Sequence, residues 1–210
     1  MIEDFGARVT SVWEGLRPTT RKLIVGALQR PTVSVASSEN QAANSSYDAR
    51  ADWELSRLLT ALDERATETA MPLSAEQATS LRRMAETTAR VLQSQTQSAE
   101  VFAQLVERAH HRRDYKRIDA LADVLTKRFV SSEVCEIARN PHPLVRVLAQ
   151  EALAQAPTSA LISLLTDPVD AEIARDALER QATEYGSEEA RLIVHALNQA
   201  ELAIDDEDAV

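Results

Sequence analysis

The chain has 210 residues, 23 Lys/Arg against 33 Asp/Glu for a formal net charge of −10, and only 4 Gly, 1 Cys and 8 aromatic residues. A single cysteine excludes a scaffold stapled by internal disulfides, and four glycines are too few for the tight turns of an all-β sandwich or a series of phosphate loops. The 34 alanines, beside abundant Leu, Glu, Arg and Gln, are the composition of a helical protein.

Residues 2–16 carry Ile2, Phe5, Val9, Val12, Trp13 and Leu16 at helical spacing and predict a first helix. Pro18 breaks it and opens a second, with Leu23, Ile24, Ala27 and Leu28 on one face. Residues 31–47 are rich in Ser, Ala and Asn with no apolar stripe, which predicts a flexible linker behind a hairpin of residues 1–30. A third helix is expected from Asp48, a good N-cap, to Thr69, with Trp53, Leu55, Leu58, Leu59 and Leu62 facing the core. Ser74 and Gln77 have the spacing of a capping box and open a fourth helix, striped by Leu81, Met84, Ala85, Thr88, Val91 and Leu92. A fifth follows Ser98 with Val101, Phe102, Leu105, Val106 and Ala109. A sixth starts near Asp114 with Ile118, Leu121, Ala122, Leu125 and Phe129.

From residue 132 the chain becomes repetitive. Short helices over 133–139 and 159–165 alternate with longer ones over 144–155 and 169–183, separated by Asn140-Pro141-His142-Pro143, Pro157 and Asp167-Pro168. Ser132 is the expected cap of the first short helix. Gly186-Ser187 closes the second long helix and caps a last one over 188–203. With a 25-residue offset, Leu148-Ala149-Gln150-Glu151-Ala152-Leu153 overlies Ile173-Ala174-Arg175-Asp176-Ala177-Leu178, and small, apolar and acidic positions coincide. Asp205-Asp206-Glu207-Asp208 reads as a solvated, disordered tail over residues 205–210.

The turn at Asn140, then Leu144-Val145-Arg146, Leu148-Ala149 and Ala152-Leu153, resembles the second helix of HEAT-like repeats, where an Asp or Asn turn precedes Val-Arg, paired small residues and Ala-Leu. Asn140, Val145, Arg146, Ala149, Ala152 and Leu153 stand at the matching positions. In the next unit Asp167, Ala174, Ala177 and Leu178 match, while Ala171-Glu172 stands near the place of Val-Arg. The resemblance covers residues 131–183. It implies an all-α fold of stacked helical hairpins, a short HEAT-like α-solenoid over residues 48–204. It further implies a non-enzymatic scaffold or adaptor that binds a protein partner without a cofactor. An amphipathic hairpin cannot bury its own apolar face, so neighbours must stack.

The stretch His110 to Arg117 is the most conspicuous candidate site. With Arg108 it holds 5 Lys/Arg in ten residues. His111, Arg112, Arg113, Lys116 and Arg117, with Arg139 and Arg146, are the polar groups able to grip an acidic partner. The plainer reading is a helix C-terminus whose cations offset the dipole. Metal binding is disfavoured, because Glu107/His111 and His110/Asp114 offer only two ligands each. Cys135, beside Val134 and Ile137, reads as a core residue with no activating base next to it. His142 and His195 read as structural or exposed. No GxSxG, HExxH, CxxC or glycine-rich phosphate loop is present.

Residues 133–210 hold 5 Lys/Arg against 16 Asp/Glu. That balance disfavours nucleic acid, including the alternative of a DNA-glycosylase-like HEAT protein, and it disfavours anionic membrane. No apolar run long enough for a membrane span is present, and with one unpaired cysteine the expected location is the cytoplasm. Because the linker could free residues 1–30, a homodimer swapped through that hairpin is a further expectation.

Overall fold

The computed structural model describes residues 2–29 and 47–207, with side chains to Asn198 and Gln199 at the C-terminal end. The expected linker, apart from Tyr47, and the last three residues of the expected tail lie outside the described residues. Among the described residues there are eleven α-helices, one short 3-10 turn and no strand, so the all-α expectation is met. The helices are α1 Ala7–Gly15, α2 Pro18–Gln29, α3 Ala49–Thr67, α4 Ala75–Gln95, α5 Ala99–His111, α6 Tyr115–Arg128, α7 Ser131–Ala138, α8 Pro143–Ala154, α9 Thr158–Leu164, α10 Ala171–Thr183 and α11 Glu188–Glu207. No helix among the described residues is long and apolar enough to cross a membrane. The chain forms two compact units, Met1–Leu105 and Val106–Val210.

In the first unit the α1–α2 hairpin lies on the α3–α4 hairpin, α1 against α3 and α2 against α4. Phe5, Val9, Leu16 and Ile24 are buried there, in one core with Leu55, Leu58, Leu59, Leu62, Leu81, Met84 and Leu92. In this structure the hairpin expected to swap packs on α3–α4 of its own chain. The first helix is not continuous from residue 2. Gly6, at φ +99°, separates a 3-10 turn over Glu3–Phe5 from α1, a left-handed backbone that glycine adopts without strain. Arg65 Nε closes this corner by donating to the Phe5 carbonyl at 2.8 Å.

Two apolar residues assigned to the core from periodicity face solvent instead: Leu23, and Trp53, which is 56% exposed. Trp53 carries the guanidinium of Arg57 over its ring at 4.7 Å, one turn along α3.

A polar knot joins the two hairpins of this unit. Glu54 on α3 is nearly fully buried. It accepts from the Arg17 amide (3.2 Å), Arg17 Nε (2.9 Å) and the buried Thr20 hydroxyl (2.5 Å). Its carboxylate thus sits at the amino end of α2, where the free amides and the helix dipole favour negative charge. Arg17 also reaches Asp48 at 2.8 Å. Asp48 in turn caps α3 by accepting from the Arg50 and Ala51 amides, both at 3.1 Å. The Ser74–Gln77 capping box forms reciprocally, at 3.1 Å and 2.9 Å.

In the second unit α7–α8 and α9–α10 are successive hairpins. α7 packs on α9, α8 packs on α10, α6 flanks α8, and α11 folds back on α10. The internal repeat is visible in burial: Ala149 and Ala174, Ala152 and Ala177, and Leu153 and Leu178 are all buried at equivalent places in α8 and α10. The two turns are equivalent as well. Asn140 Oδ1 accepts the His142 amide (2.9 Å), and Asp167 Oδ1 accepts the Val169 amide (2.8 Å). Both are Asx turns, in which the side chain stands in for a backbone acceptor.

Boundaries shift where local chemistry overrides periodicity. α7 begins at Ser131, and Ser132 is not its cap; Glu133 reaches back to accept the Val130 amide at 3.1 Å. Val169 lies in the turn and is exposed, with α10 starting at Ala171. α11 extends to Glu207, so residues 205–207 of the expected tail are helical.

Candidate functional site

Two polar surfaces of the second unit collect the charged side chains. The first is the α5–α6 turn. α5 ends in a backbone motif in which Arg113 N donates to His110 O and Asp114 N to Ala109 O, both at 2.9 Å. Arg113 sits at φ +54°, the left-handed position that glycine usually fills. Asp114 then caps α6 by accepting the Arg117 amide at 3.2 Å. Arg112, Arg113 and Lys116 are exposed, as is Tyr115. His111 Nδ1–H donates to the Glu107 carbonyl at 2.8 Å, and Arg117 lies 3.9 Å from Asp114. The His110 ring meets His142 edge-on, 5.5 Å between centroids, which places the turn beside the start of α8. Arg146 is exposed one turn further along α8.

The seven residues singled out from sequence lie on the α5–α6 turn with the start of α6, at the end of α7 and on α8. His111, Arg112, Arg113, Lys116 and Arg117 share the α5–α6 turn. Arg139, at the end of α7, is spent on Asp170 (2.5 Å) and the Val169 carbonyl (3.3 Å) of the next hairpin. Its role is to join hairpins.

The second surface is a groove of about 610 Å³ between α8 and α10. Val147, Ile173 and Ala177 give it an apolar floor, and Glu151, Asp176, Glu179 and Glu184 line it with Arg180. Arg180 Nη2 reaches Glu151 at 3.0 Å and Glu184 at 2.9 Å. Tyr185 hydroxyl and Gln155 Nε2 also donate to Glu151. These hydrogen bonds, first that of Tyr185, hold the Glu151 carboxyl below its usual range. The same pairing lowers Glu184 and raises Arg180, so all three stay ionised near neutrality. Asp176 behaves oppositely. Partial desolvation and the neighbouring Glu179 and Glu172 push its carboxyl up, outweighing the opposing charge of Arg175.

Sequence reasoning missed this groove. The signal was present: Glu151 and Asp176 are the aligned acidic positions of the repeat, and the aligned helices stack so that both border it.

Cys135 is fully buried, and burial pushes its thiol up to about 11. Among the described residues no three of His, Cys, Asp and Glu converge as metal ligands would. In the first unit a cleft of about 570 Å³ is bordered by Trp53, Tyr47, Val12, Arg57 and the buried Asp52, which accepts from the Tyr47 hydroxyl (3.0 Å) and Gln95 (3.1 Å). No family model, curated protein or solved structure matches the chain.

Proposed function

We propose that this chain is a non-enzymatic protein-interaction scaffold whose second unit is a short HEAT-like α-solenoid. The observation that supports it best is the repeat: two hairpins of similar sequence pattern, with equivalent Asx turns and equivalent buried alanines, packed first helix on first and second on second. Helices stacked in this way present a row of side chains from successive units on one face, which suits the binding of an extended partner segment. Two such faces are available, the cationic α5–α6 turn and the α8–α10 groove. The acid surplus of residues 133–210 opposes a nucleic-acid partner, and the lone thiol suits a reducing compartment such as the cytoplasm.

The test is affinity capture with the full chain from its native host, followed by cross-linking and mass spectrometry. A reproducible partner cross-linked to residues 110–117 or 147–184 supports the reading. Cross-links scattered over the whole surface, or confined to the first unit, contradict it.

A further inference from the structure

We infer that the α8–α10 groove docks a short basic amphipathic segment of a partner protein, its aliphatic residues on the groove floor and its Lys or Arg side chains against the acidic lips. This rests on the interaction-module reading and names the partner chemistry for one of its faces. The groove has an apolar lining of Val147, Ile173 and Ala177, of which Val147 is 56% exposed. Four carboxylates line the groove against one guanidinium, and that guanidinium is already neutralised between Glu151 and Glu184. Asp176 makes no ion pair or hydrogen bond among the described residues; partial desolvation and the charges of Glu179 and Glu172 outweigh the attraction of Arg175 there, an imbalance that an incoming cation would relieve.

Three of the arginines nearby are already paired with other acids or amides. Arg139 is held by Asp170, Arg175 by Glu179 and Asn198, and Arg191 by Glu188. A helix with apolar residues at i, i+3 and i+4 and cations flanking them is the complement to such a surface. Phosphate-bearing ligands and anionic lipid are repelled by the same field.

The probe is a fluorescein-labelled amphipathic helix of about 14 residues built from Lys and Leu, titrated by anisotropy against the full chain. Saturable binding is expected. Asp176→Lys with Glu179→Lys should weaken it about tenfold or more, whereas Glu188→Lys with Glu189→Lys, the same charge change on α11, should leave it within about twofold. Val147→Ser should also weaken it, and a Lys–Gln peptide of equal length and charge should bind less tightly. Circular dichroism on each variant confirms that these exposed substitutions leave the fold intact. Absent binding, equal loss from both charge pairs, no loss from the groove pair, or equal affinity for the Lys–Gln peptide would each overturn the proposal. A native partner whose capture survives Asp176→Lys with Glu179→Lys would overturn this groove while leaving the scaffold reading in place.

Discussion

Arg139 and Asp170 bind each other across consecutive hairpins, Nη1 to Oδ1 at 2.5 Å, with Asp170 only 5% exposed. The acid belongs to the turn that opens α10 and the base to the end of α7, so the pair pins one repeat to the next. Removing Arg139 leaves a buried carboxylate without its cation. Arg139→Ala should therefore lower stability by about 1–2 kcal/mol, less than a fully buried pair because the arginine is partly exposed. Urea unfolding checks this. A variant as stable as the parent would return Arg139 to the list of free surface cations.

The repeat core makes a separate demand. Leu153 and Leu178 are 1% and 0% exposed at matching positions of α8 and α10. Replacing either by Ala should cost about 2–5 kcal/mol, the transfer of the lost methyl groups plus the cavity left behind. Two midpoints within about 0.5 kcal/mol of the parent would mean that these helices are not packed on one another.

Acid should loosen the first unit through Glu54. Burial alone would raise its pKa, but the Thr20 hydroxyl, the Arg17 amide and the Arg17 charge outweigh that and lower it below its usual 4.5. A depressed folded value means that the contribution is present at neutral pH and is lost as pH falls below about 4.5. Glu54→Gln should flatten the stability loss of this unit between about pH 4.5 and 3, and should cost stability at pH 7. Parallel acid titration of parent and variant is the measurement, and identical pH profiles would contradict the assignment.

Arg113 occupies a left-handed turn, φ +54°. Glycine there removes the steric cost of the side chain, so Arg113→Gly should raise stability by about 0.5–1 kcal/mol. If the turn also serves a partner, the same substitution should weaken that contact, opposing shifts that a thermal melt and a binding titration report separately.

Cys135 is expected to be inert in the folded chain. Its thiol is held near 11 by burial, so almost no thiolate is present at pH 8. A thiol reagent at that pH should label it orders of magnitude more slowly than in urea. Rapid labelling of the native chain would show an open α7.

What the sequence made legible was local. Asp48, Ser74 with Gln77, Asp114 and the prolines act within a few residues, so their caps and turns were readable. The faces of α3 and α2 were read less well, because helical periodicity shows that Trp53 and Leu23 are apolar but not whether the stripe is wide enough to include them. The knot of Arg17, Thr20 and Glu54 and the bridge of Arg139 to Asp170 join residues 31 to 37 apart, and nothing in spacing announces such partners. The α8–α10 groove lay between these cases. The repeat offset aligned Glu151 with Asp176, but only the packing of the second helices showed that the two acids border one cleft.

The stacking of successive hairpins is tested most directly by a double-mutant cycle on Arg139→Ala and Asp170→Ala, read by urea unfolding. Packed hairpins require a coupling of about 1–2 kcal/mol between the two sites. Strictly additive effects, together with Leu153→Ala and Leu178→Ala midpoints near that of the parent, would place the hairpins apart and remove the basis for reading their shared face as a binding surface.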